Sequence, residues 1–435
     1  MMQVRSLSNP LRIPDLRRRL VFTAAMLAAY RLGAHLPVPG VDVSKLESLF
    51  KQQGSLFSLL DLFAGGALSN FAIFALNVFP YITASIIFSL LNIVFPRLKE
   101  MATEEGEAGR RRIGMYTRYL TVGLAMVQAV GQLVLIRSQG AVPDTRPMSL
   151  ATIVLTLTAG TMLLTWMGEV MTEYGVGNGV SLIIFGGIVA RLPAQATQLF
   201  TLVRAGERAP WEFLFDLIII FVSIVGVIAV TQAVRKIPVQ YAKRVVGRRV
   251  YGGQSTHLPM RLIQAGVIPI IFAVSVLQFP GTIAQFSNWE PVKRIGQQVL
   301  PGQPLGDLLY FVLIILFTYF YTATQFDPND VSNNIKKYGG FVPGIRPGRP
   351  TSDYLGRVTE RLTLVGALTL AVIAIAPAYL ARGGGVLTIY LGGTSLLIVV
   401  GVAMDTVNQV NAQLIMRHYE GFMRKGRLRG RRPGM

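Results

Sequence analysis

Two rare residue types limit the chemistry of this 435-residue chain, which has no cysteine and only three histidines. Without cysteine, disulfides, thiolate zinc sites and iron–sulfur clusters are excluded. His35, His257 and His418 lie far apart with no ligand spacing around them, so we expect neither a metal site nor a cofactor. The sequence also lacks the phosphate-binding GxxxxGK[ST] loop and the HExxH and GxSxG motifs. It therefore has no evident means of hydrolysing ATP, and we expect no enzymatic activity.

Charged residues are also scarce, at 15% of the chain against about a quarter in soluble domains, and 51% of the residues are hydrophobic. A helix that crosses about 30 Å of hydrocarbon needs about 20 mostly apolar residues. Ten stretches meet this requirement: 17–36, 71–95, 116–136, 149–168, 179–200, 213–234, 262–284, 308–326, 362–381 and 386–406. In the first and weakest, Arg31 is expected to extend its guanidinium to the membrane interface. The composition therefore predicts an all-α integral membrane protein.

The basic residues are distributed unevenly between the two sides of the predicted membrane. Of the 42 lysines and arginines, 31 fall in the two termini and the alternate loops on one side, and 10 fall on the other. Because basic loops stay on the cytoplasmic side, both termini are predicted to be cytoplasmic. A net charge of +20 would otherwise suggest nucleic-acid binding, but most of this excess follows from membrane topology.

The ten predicted spans divide into two halves of five, residues 1–200 and 201–435. Because five is odd, the second half begins on the opposite side of the membrane, which permits inverted halves around a central site. Acidic residues are few in the spans: Glu169 and Glu173 lie at one span end and Asp405 near another. Ion-coupled transporters usually carry such residues at mid-membrane. A passive pathway opened by another component is therefore favoured over active coupling.

Three segments differ from ordinary spans and loops. Residues 55–70, SLFSLLDLFAGGALSN, are apolar but too short to cross, which indicates either a re-entrant piece or an amphipathic helix on the outer surface. The loop 235–261 has β-branched and aromatic runs on both sides of a glycine and predicts a hairpin that projects into the cytoplasm. In the loop 327–361, the run FVPGIRPGR predicts a proline- and glycine-fixed turn around Arg346.

Several long runs of sequence resemble bacterial SecY, the family of pore-forming subunits of the Sec protein-translocation channel. They are AGGALSNFAIFALNVFPYITASII (64–87), GVGNGVSLIIFGGIVA (175–190), YAKRVVGRRVYGGQSTHLPMRLIQAGVIPIIFA (241–273), FVPGIRPGRPT (341–351), RLTLVGA (361–367) and GGTSLLIVVGVAMDT (392–406). The similarity covers essentially the whole chain in the same order. It implies ten helices in two inverted halves of five around a central pore. Unfolded secretory polypeptides cross this pore, and transmembrane segments leave it laterally into lipid.

The resemblance also implies which residues narrow and close the pore. A ring of six aliphatic side chains narrows it, and here the ring is Ile82, Ile86, Ile184, Ile188, Ile271 and Ile398. The segment 55–70 corresponds to the plug of the family, centred on Leu59, Leu60, Asp61, Leu62, Phe63, Ala64, Gly65 and Gly66. Its glycine pair would supply the flexibility that displacement needs. Pro80 and Pro269 lie in the second and seventh helices, the lateral gate of the family, and are expected to bend them.

The two large cytoplasmic loops are the surface on which the family docks the SecA motor ATPase or the ribosome. Arg248 and Arg249 at the hairpin tip and Arg346 in its turn are the expected contacts, because guanidinium groups bind phosphates and carboxylates well. Alternatively, these arginines only enforce topology. The resemblance further implies SecE and SecG as partner subunits, and signal sequences, nascent polypeptides and membrane lipid as contacts. It also implies a place in the bacterial plasma (inner) membrane.

Two rival functions remain open from the residues alone. One is a secondary transporter of small solutes with a five-plus-five inverted repeat, and the other is an insertase or assembly scaffold without a pore. A transporter needs polar or ionisable ligands at mid-membrane, where this chain offers aliphatic residues. The plug-like segment and the ring positions favour a channel over a scaffold.

Overall fold

The structure is a computed structural model that describes residues 13–42, 61, 64–103, 105–138, 140–206, 210–241, 244–246, 249–251, 255–286, 289–299, 303–381 and 393–426. Within these ranges, ten helices of 16 residues or more each overlap one of the ten predicted spans. They are α1 (Pro14–Gly33), α2 (Phe79–Val94), α4 (Gly106–Ser138), α5 (Pro147–Tyr174), α6 (Gly179–Arg204), α7 (Pro210–Gln232), α8 (Ile268–Phe286), α10 (Pro304–Gln325), α12 (Arg349–Ala381) and α13 (Gly393–Gly426). Shorter helices are α3 (Pro96–Thr103), α9 (Glu290–Gln298) and α11 (Pro328–Lys337). The predicted residues 386–392 lie outside the described part of the chain.

Five of the described helices are long and apolar enough to cross a membrane by themselves, judged by length and composition: α5, α6, α10, α12 and α13. Three other spans, α2, α7 and α8, contain shorter apolar helical stretches. The fold is therefore an all-α membrane bundle.

Prolines begin many of these helices. Pro14, Pro147 and Pro304 occupy the first helical turn, where a missing backbone N–H costs no hydrogen bond. Pro80 and Pro269 are each the second residue of their helices, α2 and α8. The expected bends at these two prolines are therefore wrong, because a proline at this position starts a helix without breaking it.

The second span begins later than its hydropathy predicts. The helix was expected over 71–95, but α2 begins at Phe79, and residues 71–78 form successive turns. The backbone of these turns is bonded to the chain that follows α1. The N–H of Val38 donates to the carbonyl of Phe71 at 2.9 Å, and the N–H of Ile73 donates to the carbonyl of Leu36 at 2.9 Å. These long-range bonds compete with the helix that the apolar sequence would allow.

The chain forms two compact units, and each has its own packing. The first comprises residues 1–193 and 402–435 and contains α1 to α5, most of α6 and the later part of α13. Here α2 packs on α4, and both α4 and α1 pack on α5. The first of its two stretches ends within α6 at Pro193, a proline inside the helix. The predicted halves 1–200 and 201–435 stay a prediction.

The second unit comprises residues 194–401. In it α12 packs on α7, α10 and α11, and α8 packs on α9 and α10. The strands β1 (Val234–Tyr241) and β4 (Ser255–Arg261) form an antiparallel ladder, and β5 (Gly340–Phe341) pairs with the other edge of β1. β2 (Arg244–Val246) pairs with β3 (Arg249–Tyr251). The hairpin predicted in 235–261 is confirmed. Beneath it, Ile237 and Met260 are buried with residues of α12.

Candidate functional site

Residues 64–78 form a series of tight turns, hereafter the turn segment. Gly65 and Gly66 have φ values of 64° and 93°, and Phe71 and Asn77 have φ values of 39° and 51°. Positive φ is unfavourable for residues with a Cβ atom, so the surrounding structure must hold this backbone in place. Ala64, Ala67 and Leu68 are buried. That burial disfavours the alternative of an amphipathic helix on the surface and favours a re-entrant piece.

Part of the predicted plug belongs to this segment. Ala64, Gly65 and Gly66 begin it, and Asp61 lies just before it and is buried. The remaining predicted plug residues, Leu59, Leu60, Leu62 and Phe63, lie outside the described residues, as do positions 55–58.

Glycines of three helices make room for the turn segment. A Cβ at Gly33 of α1 would collide with the ring of Phe74, and a Cβ at Gly160 of α5 would collide with the carbonyl of Ile73. A Cβ at Gly65 would lie 2.8 Å from the Cα of Gly187 in α6. The backbone of the segment is therefore seated directly against α1, α5 and α6, at a separation that larger residues would not permit.

A partly buried ion pair connects the start of the turn segment to α6. The Oδ2 atom of Asp61 accepts a hydrogen bond from Nη2 of Arg191, while its Oδ1 atom accepts from the backbone N–H groups of Leu68 and Ser69 at 3.0 and 2.8 Å. The same Nη2 donates to Oγ of Ser69 at 3.2 Å. The Asp61 side chain is 3% exposed and the Arg191 side chain 23%. The buried Asp61 carboxylate thus accepts three hydrogen bonds, two from the backbone of the turn segment and one from a charged donor.

α1 holds the turn segment through its backbone carbonyls. Nη1 of Arg31 donates to the carbonyl of Gly65 at 2.6 Å, and the hydroxyl of Tyr30 donates to the carbonyl of Ala64 at 3.2 Å. The Tyr30 ring stacks on Phe74 with 6.0 Å between ring centroids. The Arg31 guanidinium, which was expected to reach the membrane interface, is bound here to a backbone carbonyl of its own unit.

The six predicted ring isoleucines lie on four helices, and all are buried. Ile82 and Ile86 follow each other by one turn on α2, as do Ile184 and Ile188 on α6. Ile271 lies on α8 and Ile398 on α13, both in the other unit. Burial alone does not distinguish these six, because Ile183 and Ile270 are also fully buried. Their role as a ring stays a prediction.

The predicted docking residues lie in the second unit. Arg346 is exposed in a turn whose glycines, Gly344 and Gly348, have φ values of 81° and 102°. The hydroxyl of Thr351 donates to the carbonyl of Arg346 at 2.8 Å, which fixes the turn. The predicted turn is therefore confirmed. Arg249 lies in β3, and Arg248 lies outside the described residues.

Sequence reasoning missed the partners of two arginines. Arg191 is one of the 10 basic residues that the sequence analysis assigned to the less basic side, and Arg31 was expected at the membrane interface. Both instead donate hydrogen bonds to residues in or next to the turn segment. Their partners lie 130 and 34 residues away in sequence, so periodicity could not identify them. A basic residue within a predicted apolar span was the available signal. Glu169, which was expected at a span end, accepts a two-fold hydrogen bond from Arg118 at 3.0 and 2.7 Å.

Among the described residues, no three histidine, cysteine, aspartate or glutamate side chains come together as metal ligands. The described residues instead form a helical membrane bundle, an irregular segment buried inside one unit, and buried aliphatic faces. Irregular backbone at membrane depth is tolerated where protein encloses it or where it lines a cavity, as in channels and transporters. The fold and the site therefore define a multi-pass membrane protein of the channel or transporter class.

Comparison with known proteins identifies the family. The SecY family model matches residues 72–407. The Protein translocase subunit SecY of Thermus thermophilus is 47% identical, with 97% of this chain and 98% of the relative covered. The subunit of the same name from Halalkalibacterium halodurans is also 47% identical, over 97% of this chain and 100% of the relative. This chain belongs to the SecY family.

Solved structures share the fold. A structure described as "The structure of a protein conducting channel" matches with a TM-score of 0.65 at 16% identity, covering 95% of this chain and 94% of the other. Sec61 in the canine ribosome-channel complex from the endoplasmic reticulum matches with a TM-score of 0.61 at 16% identity, covering 95% and 94%. The helical bundle is thus that of protein-conducting channels.

Proposed function

We propose that this chain is the central protein-conducting channel of a Sec translocase. It passes unfolded secretory polypeptides across the membrane and releases transmembrane segments laterally into lipid. The observation that carries the proposal is the 47% identity to translocase subunits over nearly the whole chain. The absence of an ATP-binding loop from the sequence supports a passive pore that a partner powers.

The proposed constriction is the ring of six isoleucines. Buried aliphatic side chains exclude water and ions by dewetting, and they can yield around an extended polypeptide because they make no sequence-specific bonds. All six positions are buried, which is compatible with an inward face. The same ring would leave no polar site for a small solute, which argues against the transporter alternative.

The proposed plug is the segment 55–70, of which the described part belongs to or adjoins the turn segment. In one solved structure with the same fold, the plug domain of the SecY protein is described as stabilising the closed state of the channel and maintaining a membrane seal. That structure matches this chain with a TM-score of 0.64 at 15% identity. The seating of Gly65 and Ala64 on α1 and α6 gives this chain a physical means of holding such a stopper. Opening then requires that the segment leave those contacts.

The proposed lateral gate is formed by α2 and α8, with α4 and α10 beside them. In each unit the gate helix packs on its neighbour, α2 on α4 and α8 on α10. A ring contact between Phe272 and Phe317, at 5.9 Å, joins the latter two. Signal sequences and new transmembrane segments would leave the pore between α2 and α8 into lipid.

The proposed assembly places the chain in the bacterial plasma membrane with both termini in the cytoplasm, in complex with SecE and SecG. The proposal for orientation rests on the excess of basic residues on one side. The exposed Arg346, with Arg248 and Arg249, would receive the SecA motor or the ribosome. A ribosome contact is supported by two relatives of this fold, the canine Sec61 complex and a yeast Ssh1 complex described as bound to the 80S ribosome.

A crosslinking experiment tests the channel. A photoreactive residue replaces Ile82 or Ile271, and the full translocase is loaded with a secretory chain stalled during transit. We expect capture of the stalled polypeptide from both positions, because a ring residue must touch any chain in the pore. The matched control is Ile218 on α7, an isoleucine that is 51% exposed. Capture that is absent at Ile82 and Ile271, or equally strong at Ile218, would contradict the channel.

A further inference from the structure

Side chains of α1 and α6 hold the start of the turn segment, and their contacts differ in kind. Arg31 and Tyr30 donate to backbone carbonyls, which are present whatever side chains the segment carries. The third contact joins two side chains of opposite charge, Asp61 and Arg191. This contact, like the hydrogen bond from Arg191 to Ser69, depends on the side chains at both ends, so a substitution on either side can change it.

The ion pair is organised by the segment itself. Asp61 uses one carboxylate oxygen to bind the N–H groups of Leu68 and Ser69 and the other to bind Arg191. The hydroxyl of Ser69 accepts from Arg191 at 3.2 Å and donates to the carbonyl of Gly66 at 3.0 Å. Gly66 lies beside the Arg191 guanidinium and has a φ of 93°, a backbone conformation that favours glycine. Asp61 therefore connects the backbone of the turn at Leu68 and Ser69 to the side chain of Arg191.

The arginine end of the pair lies on the helix that carries part of the proposed ring. Arg191 follows Ile184 and Ile188 by seven and three residues on α6, a spacing that puts all three on one face. Gly187, against which Gly65 rests, lies one turn before Arg191. The helix face that would line the constriction therefore also seats the turn segment.

We propose that Asp61 and Arg191 form an ion-pair latch that holds the turn segment closed and sets how readily the channel opens, an inference that rests on the proposed function of this segment as the plug. Removal of the segment from its seat separates the two charges. Breaking the pair leaves the buried Asp61 carboxylate without its charged partner, which is unfavourable until it is rehydrated or paired again. Arg191 is thus a positioning residue that determines the stringency of the channel toward signal sequences.

A labelling experiment tests the latch without reference to transport. The chain has no cysteine, so Ala64→Cys introduces a single thiol at a buried position of the turn segment. In the complete translocase, adding Arg191→Gln is expected to raise the rate of thiol modification about tenfold, because charged hydrogen bonds no longer oppose opening. The matched control is Arg204→Gln on the same helix, whose guanidinium lies over the Phe200 ring at 4.6 Å. An unchanged rate in Arg191→Gln, or an equal rise in the control, would overturn the latch.

A second arm measures the function of the latch. Export of a reporter with a defective signal sequence should rise about tenfold in Arg191→Gln, at equal membrane abundance, while export of an intact reporter stays within about twofold. The double variant, Asp61→Asn with Arg191→Gln, removes both charges and leaves neither unpaired. It therefore controls for misfolding caused by a single unpaired charge. It should match the single variants within about twofold in both assays. Effects that multiply in the double variant would overturn the pairing.

The two arms separate the latch from the proposed function. Faster labelling with unchanged stringency would keep the latch but remove the plug role of the segment, and with it this inference about gating. Failure of capture at Ile82 and Ile271 would instead remove the channel while leaving the labelling result intact.

Discussion

Arginine shows most clearly how the same residue type serves different purposes in this chain. The sequence contains 33 arginines and 9 lysines, and their sidedness predicts topology without knowledge of any contact. Arg31 and Arg191 do not fit that reading, because each guanidinium binds a partner inside its own unit. A long flexible side chain gives no periodic signal for its partner, so only the folded arrangement distinguishes these two arginines from those that orient the protein.

Isoleucine poses the converse problem, since ring and core isoleucines look alike in sequence and in burial. Ile188 and Ile183 lie on the same helix and are both 0% exposed, but the resemblance assigns only Ile188 to the ring. We expect Ile188→Asn to raise ion leak severalfold and to admit substrates with defective signals, because an amide in an apolar constriction favours water there. Ion flux into vesicles containing the purified translocase measures the leak.

The paired variant Ile183→Asn provides the control for this prediction. Burying an unpaired amide costs about 1–3 kcal/mol at either position, so both variants lose stability. If the two variants leak equally at matched abundance, loss of packing explains the effect and the ring assignment of Ile188 fails.

At the scale of elements, the turn segment depends on one glycine more than on the others. Gly65 combines a φ of 64° with a close approach to Gly187, so Gly65→Ala adds backbone strain and a steric clash together. We expect a loss of about 2 kcal/mol in seating the segment and a corresponding relaxation of signal-sequence stringency. Protease resistance of the segment and export of the defective-signal reporter measure the two effects.

A glycine in an open helical position serves as the comparison. A Cβ at Gly123 of α4 would meet nothing within 4 Å, so Gly123→Ala should be neutral or should stabilise by about 0.5–1 kcal/mol. Equal sensitivity at Gly65 and Gly123 would show that the seat against α6 is not what Gly65 provides.

The elements themselves were largely predictable, and the exceptions have a physical cause. Each of the ten predicted spans overlaps a described helix, and five of these helices are long and apolar enough to cross a membrane alone. Hydropathy can locate such helices because a span must be a continuous apolar helix, which is a local property of the sequence. It failed at residues 71–78, whose apolar side chains also suit a helix. There Phe71 and Ile73 bond to the chain after α1, and Asn77 adopts a φ of 51°. Such tertiary bonds are invisible to a window of hydropathy, as were the contacts of Asp61.

At the scale of the whole molecule, the basic residues and the packed core lie in different parts of the sequence. The basic excess belongs mainly to the termini and one set of loops, whereas the described core is built from apolar helices with glycine contacts. Charge that only orients the chain should tolerate exchange between nearby positions, because topology depends on the total near each span. A basic residue that contacts a partner should not tolerate such an exchange of position.

Arg346 allows these two roles to be separated. Arg346→Glu should reduce ATP-dependent, SecA-driven export severalfold while membrane assembly stays intact, because the exposed guanidinium in its fixed turn would be lost as a contact. The control is Arg357→Glu, which makes the same charge change at an exposed residue of α12 in the same loop region. Export from vesicles and membrane abundance are measured for both. Equal impairment would mean that the loop needs positive charge in general, and normal export in Arg346→Glu would remove this turn from the docking surface. A defect confined to Arg346 would instead show that position, rather than net charge, receives the motor.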